Sequence, residues 1–110
     1  MTTRILLSLL ATSYVAVAAD FVTGQGAVAV IGQASFATSA RGATASTFGL
    51  PAGVAIDPIT GKLFVADRVN NRVLRYANAA ALIDGAAAEV VFGQSSFTDA
   101  STYAVSSTTM

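Results

Sequence analysis

Neither cysteine nor histidine occurs among the 110 residues of the chain. Their absence excludes disulfides, thiol nucleophiles, imidazole bases and the usual ligands of zinc. Carboxylates, hydroxyls, amides, guanidinium groups and the amine of Lys62 are left for chemistry. We therefore expect no cofactor and no metal site, and we look for candidate sites among the acidic and basic side chains.

Charge is also scarce, because only 11% of the residues are charged and the six basic and six acidic side chains cancel. A dedicated nucleic-acid binder needs a surplus of clustered lysine and arginine, so this class is disfavoured. The hydrophobic content of 54% also excludes a chain that stays disordered through weak hydrophobicity and strong net charge. The composition fits one small globular unit at most.

The first 19 residues have the pattern of a signal peptide. Arg4 provides the positive end, residues 5–17 form an apolar run, and small residues at 18 and 19 permit cleavage after Ala18 or after Ala19. The competing interpretation, an uncleaved membrane anchor, requires about 20 apolar residues, and this run is shorter and interrupted by polar side chains. We expect an N-terminal signal helix, a secreted or periplasmic mature protein, and no stable membrane span after cleavage.

A short repeat lies downstream of this segment. AVIGQASFAT, from Ala29, matches VVFGQSSFTD, from Val90, so that Gly32 corresponds to Gly93, 61 residues later. The register divides the remaining chain into a partial repeat with its connection (20–47), one complete repeat (48–98) and the start of a truncated one (99–110). In the partial repeat we expect an outer strand at about 27–31.

Between the two matching segments the pattern predicts four short strands, at 53–57, 62–66, 72–77 and 88–92. The second strand is almost continuously apolar, which indicates burial on both faces. A helix of one or two turns is expected over 78–85, with Asn78 as its cap and Gly85 as its left-handed stop. The predicted fold class is all-β, a blade of four antiparallel strands of the kind that stacks in a β-propeller.

The polar residues group at the ends of the predicted strands, where turns are expected: Asp57, Gly61, Asp67, Asn70, Asn71 and Arg72. Aspartate, asparagine and glycine favour turns because of their side-chain hydrogen bonds or their freedom to adopt positive φ. The two aspartates could in principle act as a catalytic pair, but their strand-end positions favour a structural role. We therefore assign no catalytic residue.

Arg72 is expected to donate to turn carbonyls or to Asp67, because a guanidinium is a planar group with several donors. Arg72 and Arg75 are three residues apart and should face opposite sides of the sheet. Arg68 lies in the loop itself, so it is the candidate for a partner contact, and the alternative is an ordinary solvated loop charge.

The residues from Leu50 to about Thr98 resemble the NHL-repeat family. The sequences PAGVAID, LFVAD and NNRV occur in the family's order, each ending or starting a strand. The long link and the NAAAL insertion are similar to the exported bacterial variety. The resemblance implies a β-propeller, commonly of six blades, that serves mainly as a rigid platform for binding proteins or other ligands.

Some members of the wider family are enzymes with metal-bound histidines, and this chain has no histidine to match. One complete repeat also cannot close a ring, so we expect an incomplete propeller: a piece of a longer product, or a unit that self-associates through unpaired blades. Three hypotheses remain: an exported, non-catalytic binding scaffold for a protein or small ligand; the first segment of an exported propeller enzyme (lyase- or hydrolase-like) whose catalytic residues lie in other blades; and a self-assembling structural repeat.

Overall fold

The computed structural model describes residues 22–102. Four strands form a single antiparallel sheet in the order in which they occur in the chain: β1 (Pro51–Ile56), β2 (Leu63–Asp67), β3 (Arg72–Tyr76) and β4 (Val90–Phe92). The expected all-β architecture with a four-stranded antiparallel sheet is confirmed. The predicted signal helix and the last eight residues lie outside the described part of the chain.

Two tight turns connect the first three strands. Gly61, in the β1–β2 turn, has a φ of 72°, and its N–H donates to the Asp57 carbonyl at 2.8 Å. Asn71, in the β2–β3 turn, has a φ of 51°. Glycine and asparagine tolerate this left-handed conformation better than other residues, which explains their use at these two points.

The hydrophobic core covers one face of the sheet. Leu63 and Val65 of β2 and Leu74 and Tyr76 of β3 are buried there. Phe48 packs edge-on against the Tyr76 ring, with centroids 6.4 Å apart. Residues 22–102 do not bury β2 on both faces, contrary to our expectation: on the face away from the core, Phe64 is half-buried and Ala66 is exposed.

Residues 27–31 form no strand, contrary to our expectation. No strand lies beside this segment within the described residues, and the backbone of Val30 pairs instead with the loop before β4. Its N–H donates to Asp84 Oδ1 at 2.9 Å, and its carbonyl accepts from the Gly85 N–H at 2.9 Å. These two bonds satisfy the groups that a neighbouring strand would otherwise pair.

The helix expected over 78–85 is much shorter in the structure. One 3-10 turn spans Ala79–Ala81, capped by Asn78, whose side chain accepts from the Ala80 N–H at 3.0 Å. Leu82 is already extended, with φ −68° and ψ 139°. A run this short cannot recover the entropy of helix nucleation, so only the capped first turn forms.

The edges of the predicted strands also shift by one or two residues. β1 begins at Pro51 and ends before Asp57, and β4 is limited to three residues. All six residues of β1 are exposed. Val54 and Ile56 share a face with buried partners on β2 but remain 72% and 57% exposed, since nothing within residues 22–102 covers that corner of the sheet.

Two segments with the repeated sequence flank the sheet. We call residues 32–40 the first link and residues 93–101 the second link.

No helix within the described residues, 22–102, is long and apolar enough to cross a membrane.

Candidate functional site

Four buried polar side chains meet at the end of the sheet where β2 turns into β3. Asp67, Asn70, Arg72 and Gln94 are between 0% and 6% exposed, and we call them the turn cluster. Three of them come from the polar stretch between β2 and β3, and Gln94 comes from the second link. Buried polar groups are costly unless they are hydrogen-bonded, so their partners decide what this cluster does.

Asp67 is the acceptor at the centre of the cluster. Its Oδ1 accepts from the backbone N–H groups of Gly49 at 2.9 Å and Leu50 at 3.0 Å, just before β1. Its Oδ2 accepts from Asn70 Nδ2 at 2.7 Å and from Arg72 Nε at 3.0 Å. The carboxylate therefore ties the entry of β1 to the β2–β3 turn.

Arg72 is the main donor. Besides its bond to Asp67, its Nη2 donates to the carbonyls of Thr44 at 3.0 Å and Thr47 at 2.7 Å, and its Nη1 donates to the carbonyl of Phe97. The first two carbonyls precede β1 and the third follows β4. One guanidinium thus binds the segment that precedes β1 and the segment that follows β4. Its rigid, planar arrangement of donors suits this role.

Asn70 and Gln94 complete the network. Asn70 Nδ2 also donates to the Gly42 carbonyl at 2.9 Å. Gln94 Nε2 approaches three carbonyls: Asn70 at 3.0 Å, Asn71 at 3.3 Å and Ser101 at 2.8 Å. The second link is therefore hydrogen-bonded to the backbone of the β2–β3 turn.

The electrostatics of the cluster favour the ionised form of Asp67. Burial by itself raises the pKa of Asp67, but the hydrogen bonds from the Leu50 N–H, Asn70, Arg72 and the Gly49 N–H outweigh it and hold the pKa below its usual value. Nearby, burial raises the pKa of Tyr76 to about 12. Neither group is tuned toward proton transfer near neutral pH.

The two aspartates do not come together as a catalytic pair. Asp67 lies opposite Pro51, whereas Asp57 follows the far end of β1. At about 3.3 Å per residue, they are roughly 15–20 Å apart along the sheet. Residues 22–102 also contain no group of three or more acidic side chains that could hold a metal ion.

Asp57 instead closes its own turn. Its Oδ1 accepts from the Ile59 N–H at 3.0 Å, and its Oδ2 accepts from the Thr60 hydroxyl. The bond from Thr60 is the main reason that the pKa of Asp57 lies below its usual value. The Gly61 carbonyl then accepts from the Ala79 N–H at 2.8 Å, which joins this turn to the 3-10 turn.

Arg68 occupies the exposed tip of the β2–β3 turn. Its backbone is fixed, since its N–H donates to the Leu50 carbonyl at 3.0 Å and its carbonyl accepts from the Asn71 N–H. Its guanidinium makes no hydrogen bond or ion pair with residues 22–102. The next residue, Val69, is 56% exposed, so a cation and an apolar side chain project together from a fixed turn.

Arg75 faces the opposite side of the sheet from Arg72. Its Nε lies 2.8 Å from Glu89 Oε1, which also binds Lys62 Nζ at 2.7 Å. Its guanidinium lies 5.8 Å from the centre of the Phe92 ring. These ion pairs are solvent-exposed, so they add little stability.

Sequence reasoning missed Gln94. The repeat drew attention to the GQSSF motif, but no role was assigned to its glutamine. A glutamine at the same place in both copies of an otherwise apolar and small-residue motif was the available indication, because such a residue usually binds backbone groups.

Comparison with protein families gives one result for this region. The model of the NHL repeat matches residues 48–76, which begin at Phe48 and end with β3. The match therefore includes β1, β2, β3 and three members of the turn cluster, and it leaves out the second link. Neither the curated proteins nor the solved structures contain a significant match.

Proposed function

The chain carries an NHL repeat, and from this premise we propose that it belongs to an exported NHL-type β-propeller that binds a partner protein and is not an enzyme. An NHL repeat together with a four-stranded antiparallel blade suggests a propeller-type scaffold. Binding and export are the further steps that we propose. The observation that carries the binding proposal is the fixed, exposed tip of the β2–β3 turn.

The use of the polar side chains supports a non-catalytic role. The carboxylate oxygens of Asp67 and the guanidinium of Arg72 are occupied by bonds within the fold. A general acid or base must reach a substrate proton and titrate near the working pH. Asp67 is 0% exposed and has a lowered pKa, so it meets neither condition.

The tip of the turn has the properties of a contact site. Arg68 and Val69 are exposed, while Asp67 and Asn70 on either side are buried and hydrogen-bonded. A rigid backbone lowers the entropy lost on binding, and arginine is enriched among residues that dominate interfaces. The partner chemistry that fits is a protein surface with a carboxylate beside an apolar patch.

Capture of partners with matched charge reversals tests this proposal. The protein is immobilised, incubated with the exported proteins of its source cells, and compared with Arg68→Glu and Arg41→Glu by quantitative mass spectrometry. Arg41 is exposed but lies outside the turn. We expect a protein that is lost at least about tenfold with Arg68→Glu and retained with Arg41→Glu, since reversing a charge opposite a carboxylate costs more than 1.4 kcal/mol. Equal loss with both variants would refute the role of the turn.

Export is proposed from the signal pattern of residues 1–19. Mass spectrometry of the mature protein is expected to find an N-terminus at Ala19 or Asp20. Replacement of Leu9 and Leu10 by arginine interrupts the apolar run and should leave the full-length chain in the cytoplasm. Recovery of a chain that retains Met1 outside the cytoplasm would contradict a cleaved signal.

A further inference from the structure

The two links have the same internal structure. Gln33 Nε2 donates to the Ala40 carbonyl at 3.0 Å, and Gln94 Nε2 donates to the Ser101 carbonyl, also seven residues later, at 2.8 Å. The glycines that precede these glutamines have φ values of 79° and 88°. The turns that follow also match: the N–H of residue 38 donates to the carbonyl of residue 35, and that of 99 donates to that of 96, each at 3.3 Å. The first link is thus folded in the same way as the second.

The links differ in what they bind. The amide group of Gln94 also approaches the carbonyls of Asn70 and Asn71, and Phe97 packs against the core. Gln33 has the same amide, but Ala40 is its only acceptor within residues 22–102. Phe36, the counterpart of Phe97, is 58% exposed. The first link therefore presents an amide donor and an aromatic ring. In the second link the equivalent amide binds the β2–β3 turn and the equivalent ring packs against the core.

Open space adjoins the first link. A cavity of about 380 Å³ lies beside Gln33, between Arg41, Phe48 and Leu50. Its wall is mainly apolar, and Arg41 makes no hydrogen bond or ion pair with the described residues. A turn that docked here would bring its carbonyls to the Gln33 amide, in the way that the β2–β3 turn meets Gln94.

From this correspondence we infer that the first link binds the Asp67–Arg72 turn of a second copy of the chain. Gln33 donates to the carbonyls of Asn70 and Asn71 of that copy, and Phe36 becomes buried against it. The occupant follows from the chain itself, because the second link holds this turn through the equivalent glutamine and through the carbonyl of Phe97, the counterpart of Phe36. The inference is independent of the partner proposed for Arg68.

Each turn is already held by the second link of its own chain, so the two links compete for it. An attached segment acts at an effective concentration in the millimolar range. The first link of another copy therefore wins only at high protein concentration, or when the second link is weakened. This competition predicts opposite effects from the same substitution at the two equivalent glutamines.

Analytical ultracentrifugation of the full chain tests this prediction, with Gln33→Ala and Gln94→Ala as a matched pair. Gln94→Ala removes the amide bonds to the carbonyls of Asn70 and Asn71 but leaves the bond from Arg72 to the Phe97 carbonyl. The second link then holds the turn less tightly, so self-association should become tighter by about tenfold or more. Gln33→Ala should remain monomeric at concentrations where the native chain begins to associate. The double variant should also remain monomeric. A folded Gln94→Ala variant that is monomeric throughout, or a double variant that associates as strongly as Gln94→Ala, overturns the inference.

Cross-linking tests the same contact with both glutamines in place, in case Gln94→Ala does not fold. Because the chain has no cysteine, Ala34→Cys in one copy and Val69→Cys in another provide the only thiols for a short bismaleimide. We expect a heterodimer whose yield rises with concentration and falls about tenfold when Gln33→Ala is added to the Ala34→Cys chain. No heterodimer, or a yield unaffected by Gln33→Ala, refutes the contact. Ser95→Cys with Val69→Cys in one chain serves as the intramolecular control.

Discussion

Replacement of Arg72 by methionine is the most severe test of the turn cluster. Methionine fills part of the same volume but removes the charge and every donor. The substitution leaves the Asp67 carboxylate buried without its cationic partner, and it removes donors from the carbonyls of Thr44, Thr47 and Phe97. We expect a large loss of stability, because the remaining charge cannot regain its hydration.

The magnitude follows from the burial of the pair. Both side chains of the Asp67–Arg72 ion pair are 0% exposed, and removal of one partner from such a pair typically costs about 3–5 kcal/mol. The three carbonyls are only partly buried, so water replaces much of what they lose. At roughly 0.05–0.15 kcal/mol per residue, the 81 residues from 22 to 102 give a domain stability of only about 4–12 kcal/mol. Arg72→Met should therefore remove about a quarter or more of the free energy of unfolding.

Urea denaturation followed by circular dichroism and tyrosine fluorescence measures this loss, since the chain has three tyrosines and no tryptophan. Arg68→Met is the matched control on the same turn. Its side chain is exposed, so the expected change is within about 0.5 kcal/mol. A loss below about 1 kcal/mol for Arg72→Met, or an equal loss in the control, would show that the cluster does not stabilise the fold as argued.

Three further predictions concern single positions. Gly32 has a positive φ, and a Cβ at this position would collide with the Phe48 ring. Gly32→Ala should therefore lower the free energy of unfolding, measured by urea denaturation, by about 1–3 kcal/mol. Gly53→Ala is the control: its Cβ would enter open space, so the change should be less than about 1 kcal/mol. The buried hydroxyl of Tyr76 has no hydrogen-bond partner among residues 22–102, so Tyr76→Phe should leave the free energy of unfolding unchanged or raise it by about 1 kcal/mol. A decrease of more than about 1 kcal/mol would show that the hydroxyl makes a hydrogen bond in the folded protein. The pKa of Asp67 is lower in the folded state than in the unfolded state, so the stability that this group adds is complete above the unfolded pKa and is lost as the pH falls through the folded pKa. The free energy of unfolding should therefore decline below about pH 4, and Asp67→Asn should flatten this decline. Parallel pH profiles of the two proteins would contradict this assignment.

The sequence was sufficient to predict the sheet because its local patterns agree with its turns. The positive φ of Asn71 and of Gly61 occurs where the NN and TG dipeptides indicate a turn. The strands between these turns are short and rich in β-branched and aromatic residues, so their type was not ambiguous. The antiparallel order of β1, β2 and β3 followed from their short connections.

Contacts between distant segments account for what the sequence did not predict. Residues 27–31 have the pattern of a strand, but a strand also needs a neighbour, and Val30 finds Asp84 and Gly85 instead. The apolar run of β2 suggested two buried faces, yet burial of Phe64 depends on a second layer that residues 22–102 do not supply. The NAAAL segment favours helix by composition, but its length allows only one 3-10 turn.

In the turn cluster too, contacts between residues close in sequence were predictable, and contacts between distant residues were not. Asp67, Asn70 and Arg72 are close in the sequence, and their mutual bonds were foreseeable from turn chemistry. Gln94 is 22 residues beyond Arg72, and its contact with the turn depends on the path of the chain after β4. Periodicity carries no information about that path.

The central claim is that the turn cluster has a structural role: it binds the segments next to β1 and β4 to the β2–β3 turn. Hydrogen exchange of the backbone amides of Gly49 and Leu50 is the most direct test of this claim. Both amides lie outside any hydrogen-bonded strand pair, and their acceptor is the Asp67 carboxylate. We predict that they exchange as slowly as the amides in the centre of β2 and that Asp67→Ala abolishes this protection. Exchange at the rate of an open loop in the native protein would contradict the account.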